Sequence, residues 1–204
     1  MRTAVLAVTV AVLSFTSRAA DAAPSEGAPG ELSARNFPGG PVDGGGTGVL
    51  TALNGDRLAV TVPAGWTLDN RALASQGIHM LFYPAGTGWN GESTPVFAYV
   101  MPTVKAEGAS VGGLVELRRQ QLIEFDPKAT VTFERRPGAK RAPEQVTIVR
   151  YTTLKLPRHE RVAYIEDERV IYAVILSAAS AEDLKRWSPF LDAVLRAHKR
   201  EGPQ

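Results

Sequence analysis

Residues that could carry out chemistry are few in this 204-residue chain, and they are widely spaced. There are three histidines and no cysteine. None of His79, His159 and His198 has a second histidine three to five residues away, the spacing expected of a zinc site built on one element. His159 and Glu160 are adjacent, so on a strand they would point to opposite faces. The sequence therefore predicts no metal site and no cofactor, with His79 as a surface or internally satisfied side chain.

Serine nucleophiles are the next candidates. A serine hydroxyl becomes reactive on a strained elbow or beside a matching base. The relevant serines have structural explanations as helix caps, strand residues or turn residues: Ser110, Ser177, Ser180 and Ser188. A triad can also be assembled from residues that are distant in sequence. We predict no catalytic residue, and the alternative is a hydrolase whose site is built from scattered residues.

Charged residues form two short clusters. Glu166-Asp167-Glu168 lacks the ligand ladder of a calcium loop, which predicts a solvated hairpin tip. The second cluster, here called the basic segment, surrounds the turn-forming Pro137-Gly138. It is either a solvated tip or a contact for anionic lipid, a polyanion or an acidic protein patch. With a net charge of only +2 and no aromatic residue in the segment, we expect no nucleic-acid partner. Its cations are Arg135, Arg136, Lys140 and Arg141.

A glycine-rich loop contains the other candidate binding residues. Pro84 to Pro95 is longer than the two to five residues that normally join antiparallel neighbours. It contains Trp89, and a large aromatic side chain in a loop is costly to expose unless it packs or binds. Trp89 therefore either covers the core or contacts a partner. We predict that Trp89, with Asn90 and Glu92, forms part of a partner surface at one end of a sheet.

The elements that would position these residues are organised around Arg161 to Ser177. Alternating residues up to Glu166 predict a half-buried strand, and the apolar run from Val170 to Leu176 predicts a strand covered on both faces. The acidic turn between them makes the two strands a hairpin. Ser180 and Asp183 then resemble a capping box, which predicts a helix over residues 181–198.

The remaining pattern gives four strands, a helix, four strands and a helix. Asn54-Gly55 predicts a hairpin between residues 49–53 and 58–62, followed by Trp66 folding back as a lid on the core. A helix is expected over Val111–Phe125. Further strands are expected at 78–83, 96–101, around Val131 and Phe133, and at 146–154. The predicted fold class is α+β, an antiparallel sheet of about six to eight strands with helices on its faces in an α/β/α sandwich.

Both ends of the chain lie outside this predicted domain of residues 48–198. Residues 1–22 have the short apolar run and the Ala20-Asp21-Ala22 site of a cleaved signal peptide. Residues 23–47 read as a flexible leader rich in glycine and proline, and 199–204 as a disordered tail. The glycine run at residues 44–46 lacks the Gly-Lys-Ser/Thr ending of a phosphate loop. We expect a secreted or periplasmic chain without disulfides and without a membrane span once the signal is removed.

Several apolar motifs resemble PsbP-like domains, whose fold is shared with the Ran-binding Mog protein. They are Val62-Pro63-Ala64-Gly65-Trp66, Leu81-Phe82-Tyr83-Pro84, and the crossing from Tyr164-Ile165 to Val174-Ile175-Leu176-Ser177-Ala178. The resemblance covers roughly residues 48–198 and implies a domain of a generally non-enzymatic group that docks on other proteins. No functional motif of a subgroup is present, so it implies no residue roles.

The sequence as a whole predicts a monomeric, exported, non-catalytic domain that binds another macromolecule, a protein of the cell envelope. A small-ligand carrier is a further alternative to the hydrolase, and it would need an enclosed apolar cavity.

Overall fold

The computed structural model describes residues 42–52, 55–76, 78–134, 145–155 and 158–201. The basic segment lies outside the described residues. The first six strands are β1 (Val42–Asp43), β2 (Thr47–Thr51), β3 (Arg57–Thr61), β4 (Trp66–Asp69), β5 (Leu81–Pro84) and β6 (Val96–Val104). Helix α1 (Val111–Phe125) follows, then β7 (Thr130–Glu134), β8 (Gln145–Thr152), β9 (His159–Glu166) and β10 (Val170–Ala178). Helix α2 (Ala181–Ala197) and β11 (Lys199–Glu201) complete the described part.

Antiparallel pairing joins eight of these strands into one sheet, in the order β1-β4-β5-β6-β10-β9-β8-β7. The predicted α+β class and sheet size are confirmed. Strand β10 lies in the middle, as its apolar run predicts, and Ile175 stands opposite Tyr99 of β6 and Val162 of β9. A central strand is covered on both faces, which is why its sequence loses the polar alternation of a surface strand.

A separate three-stranded sheet has the order β11-β3-β2. The predicted hairpin between β2 and β3 is confirmed, with Val49 opposite Ala59. Its assignment to this second sheet was not predicted, because a hairpin signal fixes two neighbouring strands and says nothing about which sheet they join.

Two apolar layers lie on opposite faces of the main sheet. Helix α2 and the small sheet cover one face, where Trp66 packs against Phe190 with a ring-centroid distance of 4.0 Å. Helix α1 covers the other face, which is lined by tyrosines and aliphatic side chains of β6, β8, β9 and β10. The predicted sandwich, with helices on both faces, is therefore present.

Both helices begin at the predicted serine caps. Ser180 Oγ accepts a hydrogen bond from the Asp183 backbone N–H at 3.0 Å, and Ser110 Oγ accepts one from Gly113 at 3.2 Å. The bounds of α1 match the prediction. Helix α2 runs through Pro189 as one element. Its buried apolar face holds it in place: Leu184, Phe190, Leu191, Val194 and Leu195.

Three features differ from the sequence prediction. Trp66 does not form a lid: it opens strand β4, and the reversal just before it is made by Gly65 with a φ of +78°. The third predicted strand begins at Leu81 and not at residue 78. Strands β1 and β11 lie beyond the predicted limits of 48–198, because each gains backbone hydrogen bonds from a distant strand, β4 and β3 respectively.

Among the residues that the structure describes, no helix combines the length and the apolar character needed to cross a membrane.

Candidate functional site

Trp89 lies in the loop between β5 and β6, at one end of the main sheet. Glycines with positive φ shape the loop at positions 86, 88 and 91, with values of +80°, +68° and +55°. Trp89 is half-buried, and its ring meets the edge of Phe97 with a centroid distance of 5.2 Å and an interplanar angle of 86°. The loop residue that sequence analysis proposed as a contact is therefore also packed against its own sheet.

Asn90 and Glu92 lie in the short 3-10 turn region that follows Trp89. Asn90 is exposed, and its backbone N–H donates to Thr94 Oγ1 at 2.9 Å. Glu92 is in the middle of the turn Gly91–Ser93. The three predicted contact residues are thus neighbours on one loop.

Arg158 fastens this loop to the start of β9. Its guanidinium lies 5.0 Å from the centroid of the Phe97 ring and donates to the Thr94 carbonyl oxygen at 3.1 Å. A cation over an aromatic face together with a hydrogen bond to a carbonyl is a directional contact. The Trp89 loop is consequently held in one position by contacts with β6 and with residue 158.

Leu154 protrudes from the loop between β8 and β9, and sequence analysis did not single it out. Its side chain is 69% exposed. The backbone beneath it is fixed, because Asp126 Oδ2 accepts hydrogen bonds from the N–H groups of Leu154 at 2.6 Å and Lys155 at 3.1 Å. Asp126 itself is buried and ends helix α1. The exposed apolar side chain of Leu154 therefore extends from backbone that these two hydrogen bonds hold in place.

The strand register places Leu154 and Trp89 at the same end of the main sheet. Thr152 stands opposite His159, His159 opposite Ala178, and Ala178 opposite Val96. Leu154 follows Thr152, and the Trp89 loop precedes Val96. We call this end of the sheet the Trp89 end.

The two described residues that flank the basic segment lie on neighbouring strands. Glu134, the last residue of β7, stands opposite Ile148 in β8, and Gln145, the first residue of β8, stands opposite Glu166 at the other end of β9. The eight-residue β9 separates the two ends by about 23 Å at about 3.3 Å per residue. Of the residues predicted from sequence as binding candidates, the structure brings Trp89, Asn90 and Glu92 together on one loop, and the four cations of the basic segment lie outside the described residues. The acidic turn after Glu166 lies at the end of the sheet opposite the Trp89 end, and Glu166 pairs with Lys105 at 3.0 Å.

Five residues form a polar cluster between α1 and the main sheet, and sequence analysis missed it. Arg118 of α1 pairs with Glu160 of β9, and its guanidinium lies 4.8 Å from the centroid of the Tyr151 ring. The Tyr151 and Tyr164 hydroxyls are 2.9 Å apart, and Tyr99 and Tyr164 also interact electrostatically with Arg118. We call these residues the tyrosine–arginine cluster.

Burial dominates the acid–base properties of the tyrosine–arginine cluster. Burial first, and then the nearby Glu160 carboxylate, raises the pKa of Tyr99 to about 12, and burial likewise raises the pKa of Tyr151. Burial acts to lower the pKa of Arg118, but the charge of Glu160 and the three tyrosines more than offsets this and the pKa is raised. At neutral pH the cluster therefore holds one ion pair and three neutral phenols.

Ser110 needs separate mention, because Gly108-Ala109-Ser110-Val111-Gly112 matches the Gly-x-Ser-x-Gly pattern of a nucleophile elbow. The geometry is that of a helix cap. Ser110 has extended backbone angles, φ −141° and ψ 161°, and its Oγ is occupied by the Gly113 N–H. Strand β6 ends at Val104, so the sharp strand-to-helix turn of an elbow is not formed.

The histidines are the last candidate residues. His79 is half-buried, and burial lowers its pKa. In the described part of the chain, no three His, Asp or Glu side chains are arranged to hold a metal ion.

Comparison with known proteins gives a distant structural likeness. No protein-family model matches the chain, and none of the curated proteins matches its sequence. The fold is similar to the solution structure of cyanobacterial PsbP (CyanoP) from Synechocystis sp. PCC 6803, with a TM-score of 0.46 and 11% sequence identity. The match covers 77% of this chain and 94% of that chain. A likeness at this level of identity concerns the fold alone.

Proposed function

We propose that this chain is an exported, non-catalytic domain that acts by binding another macromolecule at the Trp89 end of its main sheet. The observation that carries the proposal is Leu154, whose side chain is 69% exposed while its backbone is fixed by Asp126. Binding normally costs free energy because interface segments must be ordered, and this cost is smaller where the backbone, as at Leu154 and Lys155, is already held by hydrogen bonds. Burying an exposed leucine on a partner contributes roughly 1.5–3 kcal/mol.

Trp89 supports the same surface. The Trp89 ring packs against Phe97 on one side, yet the Trp89 side chain remains half-exposed. Aromatic residues that are anchored on one side and accessible on the other are common centres of protein interfaces, since little entropy is lost when they are covered. The partner surface then consists of the Trp89 loop and the Leu154 loop, with Asn90 and Glu92 beside Trp89.

The surface can be tested by photo-crosslinking. The mature chain, residues 23–204, is prepared with a photoreactive phenylalanine analogue at position 154 and incubated with an envelope fraction from its own source. We expect a discrete adduct that excess unlabelled mature chain prevents and that excess Leu154→Ser does not prevent. Phe133 provides a matched control, because it is 61% exposed and lies on the edge strand β7, opposite Val149 in the middle of β8. Equal adducts from positions 133 and 154, or none from 154, would contradict the proposed surface.

Trp89→Ala separates contact from anchoring. If Trp89 only anchors its loop, Trp89→Ala lowers the free energy of unfolding by a few kcal/mol and leaves the crosslinked adduct at position 154 unchanged. If Trp89 also contacts the partner, Trp89→Ala reduces the amount of this adduct at temperatures where the variant is still folded. We expect the second result.

The non-catalytic character is tested independently with a panel of ester and phosphoester substrates. Turnover that is retained by Leu154→Ser and lost on substitution of a single polar residue would favour the hydrolase alternative. We expect no turnover above that of a heat-denatured sample.

A further inference from the structure

The two helices of this fold are attached to the main sheet in different ways. Helix α2 buries five apolar side chains completely, whereas α1 buries only two, Val111 and Val115, of its fifteen residues. Leu114 and Leu122 of α1 are partly buried. Burial of apolar area is the main contribution that stabilises the docking of a helix on a sheet. Helix α1 therefore gains much less stabilisation from apolar burial than α2 does.

Polar contacts compensate for this deficit in α1. Arg118 lies in the middle of the helix, and all the partners described above lie on sheet strands: Glu160, Tyr99, Tyr151 and Tyr164. A buried ion pair gives little net stabilisation relative to apolar packing, because both charges lose their hydration. Removing one partner is nevertheless costly, because the other charge stays largely buried without compensation, at 17% side-chain exposure for Arg118 and 21% for Glu160. The Arg118–Glu160 pair therefore behaves as a single contact on which docking of the helix depends.

The start of α1 is also weak as a helix. Gly112 and Gly113 occupy its first turn, both exposed, and the space around them is open apart from Ser110 Oγ, so packing does not require glycine there. Glycine is the least favourable helix residue after proline, because it loses the most backbone freedom. Gly108 precedes the cap with a φ of +78°. Gln121, further along the helix, has a buried amide oxygen without a hydrogen-bond partner, a desolvation cost that undocking would relieve.

We infer that α1 is a latched cover, which opens from the sheet as one unit while α2 and the eight-stranded sheet stay folded, and that the Arg118–Glu160 pair is the latch. The surface uncovered by opening carries the hydroxyls of Tyr99, Tyr151 and Tyr164 together with the Glu160 carboxylate. Asp126 ties the C-terminal end of the helix to the loop that carries Leu154. The N-terminal end, with its glycines, is the end that leaves the sheet first.

Native-state hydrogen exchange of the mature chain tests this inference directly. Amides from Leu114 to Phe125 should share one opening equilibrium and exchange at least about 100-fold faster than the slowest amides of α2 and β10, which exchange by global unfolding. Equal protection of α1, α2 and β10 would overturn the inference. Exchange that becomes steadily slower towards the middle of α1, without a common value, would also overturn it, because that is fraying and not opening of a unit.

Two variants identify the latch. Glu160→Gln should raise the amide exchange rates of α1 at least tenfold. The ratio of the α2 exchange rates to the β10 exchange rates should stay unchanged. Glu116→Gln is the matched control, since it makes the same substitution in an exposed pair on the same helix, where Glu116 meets Arg119 at 2.7 Å. It should alter α1 exchange less than twofold. If both variants act alike, or if Glu160→Gln accelerates all three elements equally, the pair is not a latch. If Glu160→Gln does not fold, the exchange pattern of the unmodified chain still decides whether α1 opens as a unit.

Discussion

Truncation of Ile175 is the perturbation for which the structure gives the clearest magnitude. The side chain is 1% exposed in the middle of β10, between Tyr99 on one neighbouring strand and Val162 on the other. Removing buried methyl groups costs their transfer free energy plus the free energy of the cavity that remains. Ile175→Val should lower the free energy of unfolding by about 0.5–1.5 kcal/mol, and Ile175→Ala by about 2–5 kcal/mol.

The upper half of the range is expected for Ile175→Ala. Strand β10 is hydrogen-bonded on both sides, so the backbone cannot easily move to fill the space. Ile175→Asp should not fold, because a carboxylate without a partner at this depth costs several kcal/mol beyond the lost packing. The total then approaches the whole stability of an average domain, about 5–15 kcal/mol.

Urea unfolding of residues 23–204 followed by tryptophan fluorescence measures these changes, since Trp66 is buried and reports on the core. Asp167→Asn is the control. Asp167 Oδ1 accepts the backbone N–H of Glu168 at 2.6 Å at the β9–β10 turn, and asparagine keeps an oxygen that can accept it. This variant should stay within about 0.5 kcal/mol of the wild type. Equal midpoints for Ile175→Ala and Asp167→Asn, or a folded Ile175→Asp, would refute the central position of β10.

Three further predictions follow from other parts of the chain. Backbone hydrogen bonds, first from Leu154 and then from Lys128, lower the pKa of Asp126. Its stabilising contribution is therefore complete above the unfolded-state pKa of about 3.9 and is lost as the pH falls through the lower folded-state value. The difference in urea midpoint between wild type and Asp126→Asn should be constant near neutral pH and shrink in acid, and a difference that grows in acid would refute the assignment. Neutralising the four cations of the basic segment together should leave the melting temperature nearly unchanged if they form the solvated tip that the sequence predicts. Weaker partner binding with less salt dependence would identify an anion contact, and unaltered binding across a salt series would leave a solvated tip. N-terminal sequencing of exported protein should find a start at or near Ala23, and recovery of an intact Met1 end would contradict cleavage.

The sequence by itself determined the elements whose causes are local. The apolar run of β10, the glycine and proline that flank strands, and the serine caps of α1 and α2 each depend on residues within a few positions of one another. For that reason the bounds of α1, the β9–β10 hairpin and the α+β class could be predicted. Trp89, Asn90 and Glu92 were also recognisable as one loop, because a long connection rich in glycine is visible in the sequence.

Only the tertiary structure decided which residues meet. Tyr99, Tyr151 and Tyr164 come from three strands, and nothing in the spacing of single tyrosines indicates that they gather around Arg118. The meeting of the Trp89 loop and Leu154 at one end of the sheet follows from strand register, which is fixed by pairing between distant parts of the chain. Leu154 could not be distinguished from a buried strand residue, since its exposure results from hydrogen bonds to Asp126, which lies far from it in the sequence. Local patterns fix elements because their causes are short-range, whereas the site depends on contacts that exist only after the sheet has assembled.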